Sequence, residues 1–293
     1  MSAPRDLLQA TTTCAYCPTL CLHACPVSTA EASSTVSPHG KMMTARALAS
    51  GALPLTDRHA VGVLSRCTSC GACQVACRHA IDVSGTLHAA RTWAATGGHA
   101  AVDPISVAVP IEAETARVLP PGASGVWLHD AGHAAAFAVV AKRNATRWGR
   151  RPELVFASVE DLIAVETLYP TVGATLRVPQ RLEVDEALPP LPATGQVAYL
   201  EPCALSRRRP EHAAELRRRL AAVLGDRLVV LSRPDGEPLC CGAGGGYAEA
   251  SPAGAKRAGA RILELARDRG AAAVITTCGG CRAHLAAASP RAE

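Results

Sequence analysis

Aromatic side chains and long apolar runs are both scarce in this chain of 293 residues. Trp, Tyr and Phe make up only 3% of the sequence, which leaves few rings for stacking on nucleic-acid bases, and no groove-reading motif accompanies the arginines. We therefore expect no nucleic-acid partner. The longest apolar run, residues 134–141, is far shorter than the roughly 18 residues of a membrane-spanning helix, so any membrane contact is expected to come through a partner.

The chain also has little excess charge and no recognisable export signal. Its formal net charge is +5, and arginine runs at 207–209 and 217–219 fall on a predicted helix, where we expect a solvated face. The N-terminal sequence MSAPRDLLQATTTC lacks the basic segment and apolar core of a secretory signal. We expect a globular, soluble protein in the cytoplasm, peripheral to a membrane only through a partner.

Cysteine, by contrast, is abundant, with 13 in the chain. Cytoplasmic thiols stay reduced, and an odd number does not suit simple pairing into disulfides. The cysteines therefore indicate metal ligation or redox chemistry. They fall into three sets along the chain.

The first two sets hold four closely spaced cysteines each: Cys14-x2-Cys17-x3-Cys21-x3-Cys25-Pro26 and Cys67-x2-Cys70-x2-Cys73-x3-Cys77. Three thiolates from one such loop bind three irons of a cubane [4Fe-4S] cluster, while the fourth, leading into a helix, points to a second cluster. The pattern predicts two clusters, with the following ligands: cluster one, Cys14, Cys17, Cys21 and Cys77; cluster two, Cys67, Cys70, Cys73 and Cys25. A zinc ion held by four thiolates is the alternative, although eight cysteines in two interleaved runs exceed what one zinc uses.

Two features of these runs depart from the usual bacterial ferredoxin spacing. The first run has one extra residue between its second and third cysteines, and Arg78 follows Cys77 where proline is expected. A cation beside a cluster favours the more negative reduced form, so Arg78 is expected to raise a cluster potential. Neither feature removes a ligand.

Apolar residues at helical spacing fill residues 38–65 and 78–96, so the N-terminal region is predicted to be mostly helical. Over residues 10–95 the chain resembles the α-helical ferredoxin module of the iron–sulfur subunits of succinate dehydrogenase, glycolate oxidase and anaerobic glycerol-3-phosphate dehydrogenase. The resemblance implies a helical domain with two [4Fe-4S] clusters, which we place at residues 1–98.

The third set is spread along the C-terminal part of the chain: Cys203, Cys240-Cys241-Gly242 and Cys278-Gly-Gly-Cys281, with 36 residues in each interval. This pattern resembles the CCG domain of the heterodisulfide reductase B and D subunits. The resemblance implies a third, noncubane [4Fe-4S] cluster held by Cys203, Cys240, Cys241, Cys278 and Cys281. Zinc on four of these thiols is the alternative, and an unliganded thiol pair at Cys240 and Cys241 is a weaker one.

Strand and helix patterns alternate after residue 99, which predicts an α/β domain over 99–293 with a largely parallel sheet. The predicted strands are 125–129, 153–157, 196–200, 227–231 and 272–276, and the predicted helices are 132–148, 158–169, 207–224 and 252–269. A weak internal repeat divides this domain into a cysteine-free half, 120–180, and a cysteine-bearing half, 195–293. GVWLHDAGH corresponds to GQVAYLEPC, and GATLRV to AAAVITT. The Pro-rich residues 179–195 are predicted to be a linker.

The glycine-rich stretch CCGAGGGY, which ends at Tyr247, does not indicate a dinucleotide site. Tyr247 occupies the last glycine position of the GxGxxG motif, and a cysteine pair precedes the stretch instead of a strand. We expect the glycines to let the backbone approach a cluster. His23 and His79 accompany the cysteine runs and are expected to be surface residues.

The predicted fold class is thus α + α/β, and the expected function is that of an iron–sulfur electron-transfer subunit of a multisubunit oxidoreductase. Electrons would pass between a flavoprotein partner and an acceptor such as a quinone at a membrane partner. One alternative is an enzyme that itself reduces a disulfide or another small substrate at the CCG site. The resemblance limits this alternative, since heterodisulfide cleavage is thought to use two CCG motifs and this chain has one. A zinc-only interaction protein is the non-redox alternative.

Overall fold

Helices dominate the part of the chain that the structure, a computed structural model, describes: residues 5–103, 116–233 and 236–289. The α-helices are α1 (Arg5–Ala15), α2 (Pro26–Glu31), α3 (Pro38–Ala49), α4 (Arg58–Ser65), α5 (Ala72–Val75), α6 (Val83–Thr96), α7 (Val126–Asp130), α8 (Ala134–Trp148), α9 (Val159–Thr167), α10 (Glu183–Glu186), α11 (Cys203–Arg208), α12 (Pro210–Leu224), α13 (Tyr247–Ala250), α14 (Pro252–Asp268) and α15 (Gly279–Ala288). The strands are β1 (Val118–Leu119), β2 (Leu154–Phe156), β3 (Gln180–Leu182), β4 (Gln196–Leu200), β5 (Leu228–Leu231) and β6 (Ala271–Ile275).

The described residues divide into two compact units that are not continuous in sequence. The first, here the helical unit, draws on Met1–Val107, Trp127–Ala134 and Gly242–Ala258. The second, here the sheet unit, draws on Ala108–Val126, Ala135–Cys241 and Gly259–Glu293. The predicted domains, 1–98 and 99–293, stay predictions. Within the described ranges, no helix is both long enough and apolar enough to span a membrane.

The core of the helical unit lies among α1, α3, α4 and α6. Leu7, Met42, Leu64 and Leu87 from these four helices are almost completely buried and pack in one cluster. Each of the later helices begins at a polar cap: Ser37 accepts the N–H of Gly40 before α3, and Asp57 and Asp82 act in the same way before α4 and α6. The helices predicted from the apolar spacing of 38–65 and 78–96 are confirmed.

A segment far away in sequence, residues 242–258, completes the helical unit. Tyr247 is fully buried against Cys25, Val27 and Val36. Its hydroxyl donates a hydrogen bond of 2.9 Å to Oε1 of Glu31, which also accepts from Ser251. Because the other Glu31 oxygen lies 2.9 Å from Nη1 of Arg66, one nearly buried carboxylate connects α2, the end of α4 and the distant segment.

The sheet unit contains two three-stranded parallel sheets, with strand orders β1-β2-β3 and β5-β4-β6. In the second sheet β4 is central, with Tyr199 opposite Val230 of β5 and Ile275 of β6. Val197, Tyr199 and Leu220 are completely buried between this sheet and α12. The predicted α + α/β fold class is confirmed, and so are the predicted strands at 153–157, 196–200, 227–231 and 272–276.

The cysteine-free half differs from its prediction in three places. Residues 125–129, predicted as a strand, belong mostly to helix α7, and the first strand of this half is Val118–Leu119. The apolar run GVWLH is too short for its pattern to separate a strand from a buried helical turn. GATLRV contains no strand, and the predicted linker 179–195 carries β3 and α10. The proposed correspondence of these segments with β4 and β6 is therefore wrong.

One buried carboxylate holds the loop between β1 and α7. Asp161 on α9 is completely buried and accepts hydrogen bonds of 2.8 Å from the backbone N–H groups of Gly122 and Ser124, as well as one from the Ser124 hydroxyl. Burial raises the pKa of Asp161, and these hydrogen bonds partly offset that effect. Three donors of the loop thus share a single acceptor.

We expect Asp161→Ala to lower the free energy of unfolding by about 3 kcal/mol, because the buried donors of Gly122 and Ser124 lose their partner. Chemical denaturation of the purified protein measures this loss. Asp226→Ala is the matched control, since Asp226 is exposed in the same unit. Equal stability of the two variants would contradict the role given to Asp161.

Candidate metal centres

The structure brings Cys14, Cys17, Cys21 and Cys77 together around one small cavity in the helical unit. Cys14 lies on α1, Cys21 precedes a short 3-10 helix, Leu22–Ala24, and Cys77 follows α5. Leu20, Pro38, Met42, Ile81 and Val83 line the same cavity. Four thiols in an apolar shell are a donor set that fits an iron–sulfur cluster.

The thiols of this first set interact electrostatically. Burial, together with the thiolate charges of Cys21, Cys77 and Cys17, raises the pKa of Cys14 to about 11. The pKa of Cys21 is raised by burial and by the thiolate charges of Cys77, Cys17 and Cys25. Four thiolates therefore repel one another at this point unless a cation lies among them.

The second set gathers in the same way around Cys73. Burial raises the pKa of Cys73 most strongly, the nearby thiols of Cys67, Cys70 and Cys25 raise it further, and Lys41 lowers it. These are the four cysteines that the spacing assigns to cluster two. Cys25 comes from the other run and reaches the set because it caps α2 at its N-terminal end.

The loop that carries Cys67 and Cys70 is in close contact with the glycine-rich segment after the cysteine pair. Gly245 has a φ of +69°, and a Cβ atom there would lie 2.2 Å from the carbonyl oxygen of Cys67. Only glycine fits this conformation and this contact. The predicted close approach of the glycine-rich backbone is thus found at the loop that holds three predicted ligands.

The cysteines of the third set follow strands of the second parallel sheet in the sheet unit. Cys203 comes three residues after β4, Cys278 three residues after β6, and Cys240 and Cys241 follow the loop after β5. Carboxyl ends of parallel strands meet at one edge of a sheet, where ligands of α/β domains usually bind. All but Cys281 are buried, and Cys281 is partly exposed.

Three of these five thiols form a connected group. The Cys241 thiol donates a hydrogen bond of 3.3 Å to the sulfur of Cys281. A hydrogen bond from Cys281, together with backbone N–H groups, lowers the pKa of Cys278 to about 6, although burial opposes this. The pKa of Cys281 is raised by the same hydrogen bonds. Cys278 therefore ionises more readily than Cys281.

Both halves of the sheet unit hold this third set in place. Glu201, two residues before Cys203, is nearly buried and pairs with Nε of Arg217 at 2.9 Å. From the cysteine-free half, the carbonyl of Ala157 accepts the Gly279 N–H at 2.7 Å, and the Ser158 hydroxyl lies 3.9 Å from the Cys278 sulfur. The cysteine-free half thus contributes contacts, though no ligand, to the site.

The arginine runs are only partly the solvated face predicted for them. Arg217 pairs with Glu201, Arg209 with Glu166 and Arg218 with Glu215. Arg208 is exposed. Arg209 and Arg217 therefore link α12 and its start to other segments of the sheet unit, whereas Arg218 pairs within α12. His23 and His79 are exposed, as expected.

A cavity of about 240 Å³ reaches the third set from one side of the sheet unit. Cys278, Thr277 and Gly279 form part of its wall, and charged side chains line the rest: Arg117, Glu183, Glu186 and Arg282. Arg117 pairs with Glu186 at 2.6 Å. Arg282 lies on α15, four residues after Cys278, and is exposed.

Comparison with models of protein families gives two matches. Residues 10–81 match a 4Fe-4S dicluster domain, and residues 197–286 match the cysteine-rich CCG domain. Each match spans its cysteines completely, from Cys14 to Cys77 and from Cys203 to Cys281. Comparison with curated proteins and with solved structures gives no match.

These matches confirm the resemblance predicted from the cysteine spacing: the chain combines a ferredoxin-type dicluster region with a CCG domain. It is therefore an iron–sulfur protein with a role in electron transfer. The cysteine spacing alone did not indicate the contact of Gly245 with the Cys67 loop or the hydrogen bond from Lys41 to Cys25.

We expect Gly245→Ala to destabilise the helical unit and to reduce the iron content of the purified protein. A left-handed φ alone costs a residue with a Cβ about 1–2 kcal/mol, and overlap with the Cys67 carbonyl adds to this. Thermal unfolding and iron analysis measure both effects.

Gly51→Ala is the control for backbone strain. Gly51 has a φ of +78° in the same unit, but nothing lies within 4 Å of a Cβ there. Gly245→Ala should therefore be clearly less stable than Gly51→Ala. If the two variants unfold alike and bind equal iron, the Gly245 contact does not position the Cys67 loop.

Proposed function

We propose that this chain is the iron–sulfur electron-transfer subunit of a multisubunit oxidoreductase and passes electrons between a flavoprotein partner and a further acceptor. The observation that carries the proposal is the gathering of the first eight thiols into two sets of four, each drawn from both cysteine runs. The proposed ligands are those assigned from the spacing. Two neighbouring clusters are better suited to electron transfer than one buried structural metal ion is.

The chain's own residues bind the clusters and exclude water from them. Bound iron–sulfur clusters supply one-electron transfer. The thiolates provide the ligands, and apolar side chains such as Met42 and Val83 shield the first set.

We propose that the CCG site holds a third cluster, with zinc as the alternative. Zinc binds sulfur at about 2.3 Å in a tetrahedron, so four thiolates around it lie within about 4 Å of one another. The match of residues 197–286 to the CCG domain, with its five cysteines, supports a third iron–sulfur cluster.

The proposed partners follow from this conducting role. A flavoprotein is the proposed donor, because a reduced flavin delivers two electrons that one-electron carriers accept singly. The proposed acceptor is a quinone-reactive membrane partner. Thirteen reduced thiols support a cytoplasmic location, with membrane attachment through that partner.

The cavity beside Cys278 favours a second candidate function, reduction of a small disulfide or related substrate at the CCG site. Its volume of about 240 Å³ suits a small molecule better than a protein, and Arg282 in its wall suits a ligand with a carboxylate. In this alternative the cubane sets supply the electrons and Arg282 orients the substrate.

We expect anaerobically purified protein to contain about twelve irons, and as many acid-labile sulfides, per chain, which equals three four-iron clusters. Cys14→Ser and Cys67→Ser should each remove a different electron paramagnetic resonance (EPR) signal from the dithionite-reduced protein. Cys240→Ser should leave both of these signals intact. About eight irons with one zinc would instead make the CCG site structural and exclude substrate reduction there.

For the second candidate function, we expect Arg282→Gln to lower the rate of disulfide reduction at least tenfold while leaving the EPR signals of the cubane clusters unchanged. Stopped-flow measurement with dithionite-reduced protein and a carboxylate-bearing disulfide checks this. Arg218→Gln is the control, since Arg218 is exposed on α12 and outside the cavity wall. Equal rates in both variants would argue against a substrate site at this cavity.

A further inference from the structure

Lys41 on α3 is a buried lysine, with an exposed fraction of 1%. Lysine is almost never fully buried unless its charge is paired, because desolvation of an ammonium group is costly. The chain has only two other lysines, Lys142 and Lys256, and both are exposed. The burial of Lys41 therefore requires an electrostatic explanation.

The partner of Lys41 is a predicted cluster ligand. Its Nζ atom lies 3.7 Å from the sulfur of Cys25 and donates a hydrogen bond to it. The same ammonium lies close enough to lower the pKa of Cys73, which is another member of the second set. An ammonium group has three donors and no lone pair, so Lys41 acts on the ligands and is not itself a ligand.

The first set has no equivalent buried cation among the residues that line its cavity. Arg78 and His79 belong to that wall, but both are exposed, so solvent and salt screen their charges. His39 is the third basic residue there and is only partly buried. The two sets thus differ in the charge that surrounds them, although their ligands are the same.

We propose that Lys41 raises the reduction potential of the second cluster above that of the first and so sets the order of electron flow, from the first set to the second. The proposal rests on the proposed function, since it requires both clusters. One-electron reduction adds one negative charge, with no bond made or broken and no proton taken up. The electron comes from the reduced flavin of a partner, or from dithionite in the test.

A positive charge near a thiolate-bound cluster and a hydrogen bond to one of its sulfur ligands both favour the reduced form of the cluster. A buried ammonium acts with little screening, because the surrounding medium has a low effective dielectric constant.

The test is an EPR-monitored redox titration of Lys41→Met, which keeps an unbranched side chain one atom shorter and removes its charge. At a fixed potential, the ratio of reduced to oxidised second cluster should fall at least tenfold, equivalent to about 59 mV for a one-electron couple. The ratio for the first cluster should not change. Lys41→Arg should retain a potential close to that of the unmodified protein.

Lys256→Met is the matched control, because Lys256 is exposed in the same unit, and it should leave both potentials unchanged. Unchanged potentials in a Lys41→Met protein with full iron content would overturn the proposal. An iron content too low for two clusters in the unmodified protein would instead refute the proposed function. The two failures are thus distinguishable.

A second measurement needs no variant, so it applies even where Lys41→Met fails to bind iron. In protein labelled with nitrogen-15 at lysine, pulsed EPR of the reduced second cluster should show coupling to one nitrogen-15 nucleus. The exposed Lys142 and Lys256 are expected to add no signal. The absence of coupling would show that Lys41 does not contact this cluster and would also overturn the proposal.

Discussion

Mutual repulsion among crowded thiolates is the constraint on which this structure depends. Burial and neighbouring thiols raise the pKa of both Cys14 and Cys73, so these two thiols are protonated at neutral pH when no metal is bound. Iron must displace these protons, and its binding free energy then becomes part of the free energy of folding. The caps of α3, α4 and α6, the Glu31 hydrogen bonds and the Gly245 contact hold the chain segments around these thiols.

The cysteine-free half of the sheet unit keeps its fold and its contacts with the third set although it carries no cysteine. Asp161 fixes one loop of this half, and Ala157 and Ser158, just before α9, contact the backbone and sulfur at Cys278. Such outer contacts orient a metal ligand and adjust its electronic properties. A half without cysteines therefore still has a structural reason to remain beside the cysteine-bearing half.

Prediction from the sequence worked best where the spacing was local. The sequence allowed prediction of the cysteine runs, the amphipathic helices and four strands with buried apolar residues. Each of these patterns lies within about ten residues. The prediction of a strand at 125–129 was wrong, since a run of five residues fits a helical turn equally well. Strand β3 was not predicted, because it lies in a Pro-rich stretch. Glu31 and Tyr247, which pair, are 216 residues apart, and Lys41 contacts a cysteine 16 residues away. Residue patterns carry no signal for either contact.

The return of residues 242–258 to the helical unit has a consequence for biosynthesis. N-terminal regions usually fold first as a chain leaves the ribosome. Here Tyr247, which covers Cys25, Val27 and Val36, is made 211 residues after Val36. Tyr247 therefore cannot cover Cys25 until those residues have been made. Cluster insertion at the second set can precede this covering.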